Sequence, residues 1–231
     1  MEAKQAPTHG FQLLAGLTGV VGSLILVGSF AMNPAPPPSL GAEALTAWAR
    51  AREGRILLGG WMQGIGSLLI VVVAFCLVEL RPGASQLAER LTRLAGSVIL
   101  MVSLTEITFY IAAAHAAATA DQAVGMASVA LIKAVQHVFL IAPALLLPLG
   151  IFLLRSRVLP RAFALSGLAL GATLQILGVV GLLADLQSVV DAILIVQSLW
   201  FVVAGVAVAI GPAAGSRSPH SLQASASLHR P

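Results

Sequence analysis

Six apolar runs, each long enough to cross a bilayer, dominate this chain: residues 11–31, 56–79, 94–120, 127–154, 162–184 and 192–211. A helix needs about 20 mainly apolar residues to span the ~30 Å hydrocarbon core, and each run meets that length. In lipid every backbone polar group must be satisfied internally, so only helices or closed barrels are admissible. A barrel would read as alternating segments of about 10 residues, a pattern the sequence lacks. The fold class is therefore all-α, a polytopic transmembrane bundle of six helices.

Composition excludes the alternatives. Of 231 residues, 58% are hydrophobic and only 10% are charged. Soluble domains carry about 25% charge, so no polar skin is available for a soluble core of this size. Disordered chains, disulfide scaffolds and coiled coils need compositions that are missing here. The single cysteine, Cys76, lies inside an apolar run, which excludes an intramolecular disulfide and a cysteine metal site. The net charge of +4 does not indicate nucleic acid, because the basic residues flank apolar runs and form no aromatic-interleaved patch.

Those flanks set the orientation, since Lys and Arg are retained on the cytoplasmic side. With residues 1–10 as a cytoplasmic tail, the inner segments hold Lys4, Arg81, Arg90, Arg93, Arg155, Arg157, Arg161, Arg217 and Arg230. The outer segments hold only Arg50, Arg52 and Arg55, with Asp121, Asp185 and Asp191 in the other two loops. Both termini are expected to be cytoplasmic, in an inner (plasma) membrane. Ser29-Phe30-Ala31 resembles a signal-peptidase site, but the run before it exceeds the ~7–15 residues of a signal-peptide core, so it is read as a retained span.

Between spans, the outer loop 32–55 opens on Asn33-Pro34-Ala35-Pro36-Pro37-Pro38, which favours extended backbone. Leu40, Ala44, Leu45 and Trp48 then recur at helical spacing, as a separate interfacial helix or as an extension of the second span. Arg81-Pro82-Gly83 stops the second span with a turn, and the tail 212–231 reads as disordered. Pro143 and Pro148 should kink the fourth span. Small residues four apart (Ala15 and Gly19, Gly60 and Gly64, Gly167 and Gly171, Gly205 and Ala209) serve close packing within the bundle or a homo-oligomer face.

The residues of most chemical interest are the ionisable ones inside spans, because charge at bilayer depth costs ~2.5–3.5 kcal/mol. They are Glu106, His115, Lys133 and His137. If the third and fourth spans form a hairpin turning at 121–126, residues whose numbers sum to about 247 share a level along the axes. Tyr110 then lies beside His137, His115 near Lys133, and Glu106 about one turn deeper than His137. Glu106 and Tyr110 share one helix face, and Lys133 and His137 another. Where these faces meet, Glu106, Tyr110, Lys133 and His137 form a polar cluster that Gln63, Gln175 and Gln197 are placed to join. It lines an outward-open cavity for a polar ligand or a proton, or it holds Glu106 neutral or paired and fixes helix register; Lys133 alternatively snorkels to the interface. A haem held by His115 and His137 is disfavoured, because about five residues of offset is ~7 Å along the axis. No cofactor is expected, and no catalytic motif is found.

Ile151 to Gly171 carries an apolar helix end, then Arg155-Ser156-Arg157-Val158-Leu159-Pro160-Arg161, then a span with Gly167 and Gly171. With six spans and a long first outer loop, the chain resembles a bacterial integral membrane family of unknown function. The resemblance implies a six-helix bundle and no established activity. Two functional readings follow: a protein that binds or moves a small ligand or proton, or a structural or regulatory subunit packed against a membrane partner. Neither involves nucleic acid.

Overall fold

The computed structural model describes residues 8–33, 42–119, 121–141, 145–180, 183 and 187–211, without the side chains at 42, 133, 136–141, 187, 188, 190 and 191. Among the described residues the regular elements are eight α-helices: α1 (His9–Met32), α2 (Ala42–Arg50), α3 (Glu53–Glu79), α4 (Gln86–Thr119), α5 (Gln122–Ile141), α6 (Leu146–Ser156), α7 (Arg161–Val180) and α8 (Gln187–Ile210). Five contain stretches long and apolar enough to cross a membrane: α1, α3, α4, α7 and residues Ala192–Ile210 of α8.

Helix ends follow local polar chemistry. Thr8 Oγ1 accepts from Phe11 N and caps α1. Gly83, at φ +84°, turns the chain after α3, and Glu89 of α4 reaches back to accept from the amides of Gly83 and Ser85. α6 ends on Arg157 in the left-handed region, φ 55° and ψ 31°, a position usually given to glycine because a side chain costs ~1–2 kcal/mol there.

The helices close a ring. α1 packs between α3 and α8, α3 against α4, α4 against α5 and α6, these two against α7, and α7 against α8. The small residues are used inside this ring. A Cβ on Gly16 would sit 2.5 Å from Gly205 O, Gly60 and Gly64 face Ile107, Gly167 faces Trp200 and Gly171 faces Leu147. α1 runs antiparallel to α8, with Gly16 opposite Ala209 and Gly19 opposite Gly205, so α1 begins and α8 finishes at the same end of the bundle. That end also carries the α3–α4 and α6–α7 turns and their arginines.

Two apolar clusters fill the ring. At the arginine-rich end, Leu146, Leu149, Phe152 and Leu153 of α6 pack with Leu77, Val78, Phe201 and Ala204. At the other end, α2 lies over a smaller cluster of Ala49, Ile56, Tyr110, Ala113, Ala117 and Ile132. α2 is thus a separate helix, not an extension of α3: the two are divided at Ala51 and Arg52.

The fourth apolar run holds two described helices, α5 and α6, on either side of residues 142–144. Pro143 lies outside the described residues. Pro148 is the third residue of α6, in the first turn, where a missing N–H costs no hydrogen bond; it does not kink a helix interior. The α4–α5 turn is also tighter than hydropathy suggested. Asp121 Oδ1 accepts from Val124 N at 3.1 Å and caps α5, so that helix begins at Gln122 rather than 127. The tail 212–231 lies outside the described residues, as does residue 185.

Candidate functional site

Glu106 and Tyr110 sit one turn apart on the buried face of α4, 9% and 5% exposed. Facing them on α3 is Gln63, whose Nε2 donates to Glu106 Oε2 at 2.7 Å, both groups being buried. One turn further along both helices, Ser67 Oγ and Ser103 Oγ share a hydrogen bond of 2.8 Å. Gln63 and Ser67 are four apart, and Ser103, Glu106 and Tyr110 are three and four apart, so each helix contributes one polar stripe to a common seam. Below Ser103, Ile99 belongs to the apolar cluster around Leu145 and Leu146, which ends the seam.

α2 roofs the other end. Leu45, Trp48 and Ala49 of α2 cover a cavity of about 10 Å³, room for one water, whose floor includes Tyr110 and Ile132. The roof is clamped: Arg50 Nε and Nη2 both donate to Ala117 O, at 3.1 and 2.9 Å. Ala117 is in the last turn of α4, where carbonyls lack helical partners and the dipole favours a cation. The Arg52 guanidinium lies 5.3 Å from the Trp48 ring. Beside them the Asn33 amide, oriented with nitrogen toward Ile56 O and oxygen toward Gly60 N, ties the end of α1 to α3. This cavity is therefore covered by α2.

Lys133 and His137 lie on α5, with side chains outside the described residues. Their level is nonetheless revised. Gly125 faces Ala116, so residues whose numbers sum to about 241 share a level. Lys133 then lies between the levels of Tyr110 and Glu106, and His137 lies deeper than Glu106 instead of beside Tyr110. His115 is exposed on α4 and stands apart from the seam. Gln63 joins Glu106, whereas Gln175 and Gln197 are half-buried on α7 and α8.

The serine pair, the Arg50 clamp and the Asn33 clasp were missed from sequence. The first had a signal: Ser67 and Ser103 continue the stripes that Gln63 and Glu106 begin.

Together these features define a multi-pass α-helical membrane protein with a polar seam inside its bundle. The chain belongs to the family described as Domain of unknown function (DUF4386), whose model matches residues 10–211. No curated protein and no solved structure matches it.

Proposed function

We propose that this is a six-span bacterial inner-membrane protein with both termini cytoplasmic, in which Glu106 binds a proton or a small polar ligand admitted from the outer side beneath α2. In this reading α5 and α6 together complete the fourth crossing. The shared end of α1 and α8 supports an even number of crossings, and the arginines at that end support its cytoplasmic placement. A reporter fused after Gly211 is expected on the cytoplasmic side.

The observation that carries the site is the buried Gln63–Glu106 hydrogen bond, a carboxyl group kept at mid-bundle where an apolar residue would cost less. In this reading Lys133 and Tyr110 assist it. A membrane-permeant carbodiimide, which reacts with protonated carboxyl groups, tests this on the intact protein in vesicles. Glu106 should gain the reagent's mass, and faster when Arg50→Gln loosens the roof. Labelling of Glu43 and Glu53 alone would refute it.

A second reading is favoured by the Ser67–Ser103 and Gln63–Glu106 hydrogen bonds, which join α3 to α4 across the seam. The hydrogen bonds would then fix helix register in a subunit that serves a membrane partner, and Glu106→Gln would leave phenotype and partner co-purification intact.

A further inference from the structure

The turn between α6 and α7 concentrates positive charge without a described counter-charge. Arg155 lies in the last turn of α6, Arg157 follows its end and Arg161 opens α7; all three are exposed. The described ion pair is Arg93 with Glu79, on another turn, and no described acidic side chain pairs with any of these three guanidinium groups. At the turn is an open groove of about 460 Å³ lined by Arg157, Val158, Leu159, Pro160 and Arg161, with Arg155 outside its lining.

The groove is preformed. Leu159 is buried in the apolar cluster, Arg157 N donates to Leu153 O at 3.0 Å, and Val158 N donates to Ser156 Oγ. Two features run against local preference. Arg157 occupies a left-handed position that glycine fills more easily, and Arg161 places a cation at a helix N-terminus, where the dipole favours an anion. An anion in the groove would satisfy both side chains. Ile151, one turn before Arg155, and Leu165, one turn after Arg161, are exposed on the apolar faces that continue from those arginines into the bilayer. A phosphate alone would not use them, but the acyl chains of a lipid would.

We infer that the α6–α7 turn is a binding site for an anionic phospholipid, its phosphate held by Arg157 and Arg161 with Arg155 adding positive charge nearby, and its chains lying along Ile151 and Leu165. The site is independent of the Glu106 seam. Native mass spectrometry of the full chain in detergent tests it, with phosphatidylglycerol, phosphatidylcholine and inorganic phosphate as probes. Phosphatidylglycerol should remain bound, and affinity should fall about fivefold for each arginine removed in Arg157→Gly and Arg161→Gln. Arg157→Gly suits the backbone there, so a maintained melting temperature verifies folding. Arg55→Gln, the same charge change at the opposite end, should bind as the parent does. Equal retention of phosphatidylcholine, unchanged affinity in the double variant, or full displacement of phosphatidylglycerol by inorganic phosphate would overturn the inference, the last in favour of a free-anion site.

Discussion

Gln63 on α3 donates its side-chain amide to Glu106 on α4 across 2.7 Å, one turn beneath Tyr110 and one turn above the Ser67–Ser103 hydrogen bond. Two polar stripes thereby meet in register between the second and third helices of the ring. A shift of either helix by one residue would rotate its stripe about 100° and bury the polar groups against apolar neighbours.

The two hydrogen bonds should contribute unequally. Ser67→Ala removes a neutral pair and should cost ~0.6 kcal/mol, the average for such bonds inside a bilayer. Gln63→Leu removes a hydrogen bond to a buried carboxyl group and should cost more, ~1–3 kcal/mol. Unfolding of the purified protein in mixed micelles measures both.

Close helix contact gives a second prediction. A Cβ on Gly16 would meet Gly205 O at 2.5 Å and Ala209 Cβ at 2.6 Å, and backbone cannot move aside as a flexible side chain can. Gly16→Ala should destabilise the α1–α8 interface by ~1–3 kcal/mol. Gly54, in the first turn of α3, has nothing within 4 Å, so Gly54→Ala should be neutral or stabilising by up to ~1 kcal/mol. Thermal melts of the two variants should move in opposite directions or differ by the size of the first.

The roof should loosen on command. Arg50→Gln removes a charged clamp on the last turn of α4, worth about 1.4 kcal/mol, so amide exchange across 42–50 should rise roughly tenfold. Exchange in α6 and α7, far from the roof, should stay the same.

Trp200 anchors α8 to α7. Its Nε1 donates to Phe163 O at 3.2 Å and Ser166 Oγ at 3.0 Å, and its ring meets Phe163 and Phe201 edge-on. Trp200→Phe keeps much of the ring packing and loses the donor, so a cost near ~1 kcal/mol is expected in the same unfolding assay.

Much of this architecture was legible because lipid imposes length. α1, α3, α4, α7 and α8 coincide with long apolar runs, and Glu106 stood out because carboxyl groups at such depth are rare. Hydropathy does not register backbone hydrogen bonding, so it merged α5 with α6 into one run and began that run past the Asp121 cap. The misplaced turn then shifted the levels of Lys133 and His137. α2 was ambiguous because only Ala51 and Arg52 separate it from α3. Ser67 and Ser103 carry little hydropathy signal, and serines in helices often bond their own preceding turn, as Ser23 does with Gly19 O. The Arg50 clamp depends on a long-range contact with a backbone carbonyl, which no local pattern announces.

In the proposed function Glu106 exchanges a proton with the side roofed by α2. Infrared difference spectroscopy of the protein oriented in vesicles tests it most directly, by following the carbonyl stretch of protonated carboxyl groups while outer pH is stepped across about 5 to 9. The expected result is a band that responds to outer pH, responds faster in Arg50→Gln and is missing in Glu106→Gln. A spectrum that is the same in the parent and in Glu106→Gln at every pH would contradict it.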